Sequence, residues 1–512
     1  MPSRARLLAA FSSVFIILFI LHFPFLRLPY YWDEAGYYVP AALDFMRHGL
    51  LIPRSTLPTG HTPLVMVVLG AVWRLFGFSE LVTRGAMILI AAATILATYA
   101  LGRRIAGREA GAWAAALLAL SPLFFAQSSL VFLDLTAALF TTLALLSALD
   151  RRWGGFALMA SLAVLSKETA VVVLPAVWTL MLVRRKERGI GAWAVSIVPV
   201  IPLAAWALYY HSRTGFWTGN AEYLQYNLYS AFTPLHICRS FLARTAEVFV
   251  QGFNWIVVAA AVAGILWMRR RASAAIVCER EPAASSGANE ARGGSGFGDF
   301  AFLTLALIAV YILMLSVVGG AILPRYMLPV FPAFYVLAAA FIFALPKSLA
   351  RCVCCVVAVC FVASWFINPP YPFPYEDNLS YATFIRLHER AAGYLESLPG
   401  DPVILTAWPA TDELRQPSLG YVRRPLRVAP VDDFTPARFA RVPRFDVLYL
   451  YSRKWEPPHN WLATFRPLRA VSRRFYDYQP PAQPGVIAAR FHLKLIKEFN
   501  SRGQWVKIYR RP

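Results

Sequence analysis

A series of long apolar runs separated by short basic groups constrains this fold more than any other feature of the sequence. Of the 512 residues, 58% are hydrophobic and 15% are charged. A run of about 20 apolar residues is long enough to cross the hydrocarbon core of a bilayer as an α-helix. Because lipid cannot satisfy the polar groups of irregular backbone, a chain with many such runs folds as helices in the membrane. The sequence therefore predicts an α-helical polytopic membrane protein.

The positions of Lys and Arg predict the topology. The formal net charge is +22, but the basic residues fall between apolar runs and in the last third of the chain, which favours membrane topology over nucleic-acid binding. The first run follows Arg4 and Arg6 and has no small-x-small cleavage pattern, so we expect an uncleaved span with a cytoplasmic amino terminus. Placing the basic loops inside then predicts about eleven transmembrane helices. They are 7–25, 81–101, 110–127, 133–150, 155–166, 169–183, 190–210, 249–268, 300–319, 326–345 and 350–366.

Composition divides the chain into two predicted domains. Residues 1–366 form the transmembrane module, with an outer loop at 27–80 and a Gly- and Ser-rich cytoplasmic linker at 269–299. Residues 367–512 are rich in Pro, Arg and Tyr and form a soluble extracytoplasmic α/β domain. Its predicted elements are a helix at 379–398 and buried strands at 403–406 and 447–451. An odd number of crossings from a cytoplasmic amino terminus places this domain outside, and the predicted location is the inner, or plasma, membrane.

Acidic residues at the predicted outer face are the first candidates for chemistry. Asp33 and Glu34 lie just after the first span, in the aromatic sequence Tyr30-Tyr31-Trp32-Asp33-Glu34. An Asp at the centre of a membrane helix costs about 2.5 to 3.5 kcal/mol and less near the interface, so a functional role is favoured over an acidic interfacial loop. Asp134 opens the fourth span at the same predicted face, where a helix-capping acid is the alternative.

Basic residues at the same face complete the candidate set. Lys167 lies between two short spans, where an ion pair with the adjacent Glu168 is the alternative role. Arg325 follows Pro324 at a helix start, where an interfacial anchor is the alternative. His61 precedes an apolar segment, 63–76, that is too short to span; we expect an interfacial helix capped by Thr62.

The order and spacing of these motifs resemble GT-C glycosyltransferases, over about residues 1 to 345. The closest branch is that of protein O-mannosyltransferases and lipid A aminoarabinose transferases, glycosyltransferase family 39-like enzymes. The resemblance rests on Asp33-Glu34 after the first helix, Asp134, and two further motifs. These are His61-Thr62-Pro63-Leu64, where the family reads His-Pro-Pro-Leu or Lys-Pro-Pro-Leu, and Arg325-Tyr326-x-Leu328-Pro329-x-x-Pro332.

The resemblance implies an inverting transfer from a polyprenyl-phosphate sugar to a hydroxyl or phosphate acceptor on a lipid, glycan or protein of the cell envelope. The donor carries its own phosphate leaving group, so one carboxylate suffices as general base. Asp33 is the expected base, Glu34 orients it or the acceptor, and Asp134 holds the sugar, the acceptor or a basic partner. Lys167, Arg325 and His61 are expected at the donor phosphate, because cations neutralise phosphoryl oxygens. Tyr326 is a weaker candidate at the phosphate, and a headgroup anchor is its alternative role.

Two further expectations concern cofactors and the competing class of function. The sequence has no His/Cys/Asp cluster with metal-ligand spacing, so a divalent metal is possible but not indicated. Membrane lipids are expected partners and nucleic acid is not. A transporter or flippase for polyprenyl-linked sugars is the alternative function; it predicts paired repeats and charges at the membrane midplane.

Overall fold

A computed structural model describes residues 4–184, 189–224, 232–278, 290–435, 438–440, 442–457, 465–467, 469–471 and 483–512. The chain is mainly helical before residue 400, as the apolar pattern predicts. The α-helices are Arg4–His22, Val39–His48, Leu64–Phe76, Glu80–Leu120, Pro122–Gln127, Leu133–Leu149, Trp153–Ser166, Val173–Val183, Ile190–Ile197, Val200–Thr214, Ala221–Leu224, Pro234–Phe249, Asn254–Cys278, Glu290–Val318, Phe331–Ile342, Lys347–Ser364, Ser380–Glu396, Ala410–Arg415 and Pro484–Arg490.

Several of these helices are suited to cross a membrane, which confirms a multi-pass protein. In the described part of the chain, seven helical segments are long and apolar enough to span, and shorter apolar helices lie at Leu64–Phe76, Leu133–Leu149, Trp153–Ser166 and Glu168–Val183. The segment Glu80–Leu120 is two helices, because Gly107 breaks it at a φ of 87°. The two helices pack closely, since a Cβ added to Gly102 would lie 2.7 Å from Cα of Gly111. The predicted spans 81–101 and 110–127 thus form a hairpin. The total of eleven crossings stays a prediction.

Burial separates central helices from peripheral ones. The apolar window of Pro324–Ile342 is 83% buried, whereas that of Arg4–Phe25 is 11% buried. Helix Phe331–Ile342 packs against Glu80–Leu120, and Leu133–Leu149 packs against Trp153–Ser166. The segment that carries Arg325 therefore opens a helix surrounded by protein, while the first helix presents most of its surface to lipid.

The apolar segment after His61 forms the predicted short helix, but its predicted cap is wrong. The helix is Leu64–Phe76, with Pro63 in the N-cap position and no side-chain cap. The Thr62 hydroxyl is buried and, among the described residues, has no hydrogen-bond partner. Pro63 precedes the first helical residue instead of entering the first turn, so Thr62 lies one residue too early to cap the helix.

The carboxy-terminal region contains one five-stranded sheet and confirms the predicted α/β architecture. Its strands are β1 (Ile404–Ala407), β2 (Val428–Val431), β3 (Val447–Tyr451), β4 (Lys494–Ser501) and β5 (Gln504–Arg510). They lie in the order β2-β1-β3-β5-β4; β1 pairs in parallel with β2 and β3, and the two pairs involving β5 are antiparallel. All residues of β1 and β3 are buried, which explains why their sequences are continuous apolar runs.

The sheet domain is packed onto the loop that follows the first helix. The backbone N–H of Tyr30 donates to the carbonyl of Leu419 at 3.2 Å, and the Tyr421 hydroxyl donates to the carbonyl of Tyr30 at 3.0 Å. The domain boundary near 366 and the outer placement of the domain stay predictions. At the predicted linker 269–299, helices continue to Cys278 and resume at Glu290, and residues 279–289 lie outside the described residues.

Candidate active site

Five charged residues from distant parts of the chain meet in one buried network, which we call the Arg325 cluster. Arg325 donates to Oδ2 of Asp33 and, at 2.9 Å, to Oε2 of Glu376. Its Nε lies 3.8 Å from Oδ2 of Asp134, and Lys167 Nζ donates to Oδ1 of Asp134 at 2.6 Å. The structure therefore brings together four residues predicted from sequence and adds Glu376.

Asp33 is the most accessible member of the Arg325 cluster. Its side chain is 15% exposed, compared with 5% for Lys167, 3% for Asp134 and Glu376, and 1% for Arg325. Arg325 binds one carboxylate oxygen of Asp33 and leaves the other available to accept a proton. Asp33 is therefore the charged group of the cluster that is most accessible to solvent.

Two aromatic rings support the cations of the cluster. Lys167 Nζ lies 3.8 Å from the centroid of the Tyr326 ring, and Arg325 Cζ lies 4.0 Å from the centroid of Phe132. Cations over ring faces are stabilised most when they are shielded from water, as both are here. Tyr326 thus contacts the predicted phosphate-binding cations through its ring.

Breaks in helical structure position the charged side chains. Lys167 has extended backbone angles between helix Trp153–Ser166 and a 3-10 helix, Glu168–Val172. Arg325 lies in another 3-10 helix, Pro324–Val330, at the entry to a buried helix. Asp134 lies in the first turn of Leu133–Leu149, where the helix dipole favours an acid.

The backbone that carries Asp33 is held in an unusual conformation. Trp32 has a φ of 47°, in the left-handed region that bulky residues rarely adopt, and a π-helix, Glu34–Tyr38, follows. The Trp408 indole of the sheet domain covers this segment so closely that a Cβ on Gly36 would lie 2.5 Å from Nε1. The ring centroids of Trp32 and Trp408 are 5.4 Å apart. The sheet domain thus fixes the segment that presents Asp33.

Glu34 faces away from the Arg325 cluster. It is fully buried and ion-paired with Arg84, and it also accepts hydrogen bonds from the backbone N–H groups of Tyr31, at 2.7 Å, and Val131. Arg84 in turn donates to the carbonyl of Ser129 at 2.9 Å. This pair ties the first loop to the hairpin and to the segment before the fourth predicted span, and the orienting role of Glu34 stays a prediction.

His61 lies beside the Arg325 cluster rather than in it. Its Nδ1 is 3.0 Å from Oε1 of Glu168, and the two side chains are 12% and 31% exposed. The alternative pairing of Lys167 with Glu168 is wrong, because Lys167 binds Asp134 and Glu168 binds His61. The alternative of an interfacial anchor is also wrong for Arg325, whose guanidinium is buried among carboxylates.

Glu376 is the member of the cluster that sequence reasoning missed. It follows the last predicted span in Tyr375-Glu376-Asp377, which repeats the pattern of aromatic residues and paired acids seen at Asp33. Burial raises the pKa of Glu376 to about 7, while Arg325 opposes the shift. Among the residues that the structure describes, no group of three His, Cys, Asp or Glu side chains is placed to hold a metal ion.

Comparisons with known proteins agree with this architecture. Residues 60–210 match the family model described as dolichyl-phosphate-mannose-protein mannosyltransferase. The crystal structure of ArnT from Cupriavidus metallidurans in the apo state is 14% identical, with a TM-score of 0.52, over 99% of this chain and 98% of that one. The crystal structure of the same protein bound to undecaprenyl phosphate is also 14% identical in sequence, with a TM-score of 0.51 and the same coverage of both chains. No curated protein sequence matches the chain significantly.

These matches establish the fold. Over nearly its whole length the chain has the fold of ArnT from Cupriavidus metallidurans, and residues 60–210 are similar to the mannosyltransferase family, in agreement with the resemblance seen in the sequence motifs. The matched family segment begins next to His61 and includes Asp134 and Lys167. It therefore contains two of the five residues of the Arg325 cluster, together with His61 beside it.

Proposed function

We propose that this protein is an inverting membrane glycosyltransferase that moves a sugar from a polyprenyl-phosphate donor to a hydroxyl or phosphate acceptor on the outer face of the plasma membrane. The observation that carries the proposal is the Arg325 cluster, in which an accessible carboxylate, Asp33, lies against two cations, Arg325 directly and Lys167 through Asp134. Transfer from a sugar phosphate needs these two functions: a base for the acceptor and cations for the leaving group. The family match and the fold of a protein that binds undecaprenyl phosphate support the donor class.

Asp33 acts as the general base in this proposal. The acceptor oxygen attacks the anomeric carbon of the donor as its proton passes to the Asp33 carboxylate, and the bond to the phosphate oxygen breaks. A single displacement of this kind inverts the anomeric configuration. General bases contribute about 10² to 10⁴ in rate, and Arg325 holds the Asp33 carboxylate in position for the transfer.

Lys167, His61, Arg325 and Tyr326 form the donor side of the proposed site. The leaving phosphate gains negative charge in the transition state, so nearby cations stabilise it more than they stabilise the bound donor. Lys167 and Arg325 are held on aromatic rings and by carboxylates before any substrate binds. Little reorganisation is then needed during transfer. Asp134 keeps Lys167 in place and lies within reach of Arg325.

Two measurements test the proposed function. Incubating the purified protein with a labelled polyprenyl-phosphate sugar and membrane extract should release polyprenyl phosphate and label an envelope component. Mass spectrometry of glycans and lipids from a deletion strain should then show which sugar and acceptor are lost. Movement of the intact donor across vesicles without cleavage of its sugar–phosphate bond would contradict the proposal and support a flippase.

A further inference from the structure

A basic cleft lies apart from the Arg325 cluster, where two membrane helices end. The cavity, about 490 Å³, lies between the 3-10 helix Phe23–Phe25, the residues after helix Lys347–Ser364, helix Ser380–Glu396 and the turn between β4 and β5. Its lining includes Phe25 and Phe366 from the ends of the membrane helices. The proposed glycosyltransferase mechanism uses none of these residues.

Three arginines supply the charge of this cleft. Arg386, Arg390 and Arg502 line it, and none of the described lining residues is an Asp or Glu. Arg386 and Arg390 are four residues apart on one helix, where like charges repel. Arg386 donates to the carbonyl of Pro24 at 3.2 Å, and Arg390 Cζ lies 5.1 Å from the ring centroid of Phe499. Glu389, which interacts electrostatically with Arg386, does not line the cleft, so the described lining itself carries only positive charge.

Arg502 is placed in the cleft against the local backbone preference. Arg502 and Gly503 join β4 to β5 with φ values of 47° and 78°, which is the two-residue hairpin turn that favours Asn, Asp or Gly at its first position. An Arg at that position gives up the backbone conformation that it prefers. The fold itself therefore does not explain an arginine there, whereas a ligand in the cleft does.

Apolar side chains place the mouth of the cleft at the membrane surface. Phe366, which lines the cleft, is 57% exposed, and Phe23, next to the lining residue Pro24, is 73% exposed. Phe23 lies at the end of one candidate span, Arg4–Phe25, and Phe366 lies just beyond another, Lys347–Ser364. Exposed aromatic residues at the ends of spans lie at the level of lipid headgroups. Arginines at this depth face headgroup phosphates while the apolar side chains face acyl chains.

We infer that this cleft binds the phosphate of an anionic membrane phospholipid, with Arg386, Arg390 and Arg502 as its ligands. Charge complementarity and the apolar mouth both favour a lipid over a soluble anion. Two of the arginines lie on helix Ser380–Glu396 and the third in the sheet, so the lipid ties the sheet domain to the bilayer. The same domain positions the Asp33 segment through Trp408, which gives the anchoring a structural consequence.

Native mass spectrometry of the delipidated full-length protein with added phosphatidylglycerol or phosphatidylcholine tests this inference. The test variant combines Arg386→Gln, Arg390→Gln and Arg502→Asn; Gln suits a helix and Asn suits the left-handed turn, so the fold should persist. A variant with Gln at three exposed arginines elsewhere in the sheet domain serves as the matched control. These arginines are Arg423, Arg424 and Arg427.

The wild-type protein and the control should retain phosphatidylglycerol more strongly than phosphatidylcholine. Each arginine removed from the cleft should weaken phosphatidylglycerol binding about fivefold, the change expected for one basic side chain near an anionic surface. Equal retention by the cleft variant and the control would overturn the inference. Displacement of the lipid by inorganic phosphate at equal concentration would also overturn it, because a soluble-anion site would then explain the arginines.

Discussion

The buried pair of Glu34 and Arg84 allows a structural role to be separated from a chemical one. Glu34 accepts four hydrogen bonds, two from the Arg84 guanidinium and one each from the backbone N–H groups of Tyr31 and Val131. Glu34→Gln keeps the shape of the side chain but turns an amide NH₂ toward donors and leaves the Arg84 charge unpaired. Removing one partner of a buried ion pair costs about 3 to 5 kcal/mol. We therefore expect Glu34→Gln to destabilise the protein strongly.

Unfolding of the purified protein in detergent and turnover per folded molecule are the two assays. Glu34→Gln should lower the unfolding midpoint far more than it lowers the turnover of the molecules that remain folded. A double variant, Glu34→Leu with Arg84→Met, should recover much of the stability, because an apolar pair can replace a buried ion pair. A Glu34→Gln protein that unfolds like wild type but loses about 100-fold in turnover would refute this reasoning and make Glu34 a chemical group.

Three more predictions follow from the site. Arg325→Lys keeps the charge but loses the planar guanidinium that donates to both Asp33 and Glu376. Binding of labelled donor should therefore weaken while the protein stays folded. Burial raises the pKa of Glu376 from 4.5 to about 7, so the folded protein binds the Glu376 proton more tightly than the unfolded chain does. The contribution of Glu376 to the free energy of unfolding should therefore fall as the pH rises from 4.5 to about 7. Glu376→Gln should remove this pH dependence from the thermal unfolding midpoint. Gly36→Ala should reduce stability and transfer unless Trp408→Ala relieves the overlap, whereas Gly85→Ala, with open space around it, should be neutral.

The sequence predicts the class of fold because the bilayer leaves few choices. Apolar length and basic loops predict the helices and their hairpin at Gly107, and apolar runs predict β1 and β3. Boundaries and caps are less determined. Thr62 resembles a helix cap, yet the helix starts at Leu64 without one, because Pro63 takes the N-cap position.

The charged residues of the site are predictable from the cost of placing them near lipid, but their pairing is not. Lys167 lies next to Glu168 in sequence and pairs instead with Asp134, because the broken helix directs the two side chains to different neighbours. Glu376 comes from beyond the last predicted span and is held near Arg325 by a distant part of the chain, because Gln127 Nε2 donates to its backbone carbonyl at 3.1 Å. Contacts of this kind depend on tertiary packing, which a local sequence pattern does not contain.

Asp33→Asn tests the central claim most directly. Amide and carboxylate have nearly the same shape, and Arg325 keeps its contact with Glu376, so the folded structure should persist. Asp150→Asn, which alters an exposed acid paired with Arg104, is the control. With purified protein and labelled donor, we predict that Asp33→Asn lowers turnover by about 100-fold or more while donor binding persists, and that Asp150→Asn transfers sugar normally. Transfer by Asp33→Asn at near wild-type rate would contradict the assignment of Asp33 as the base.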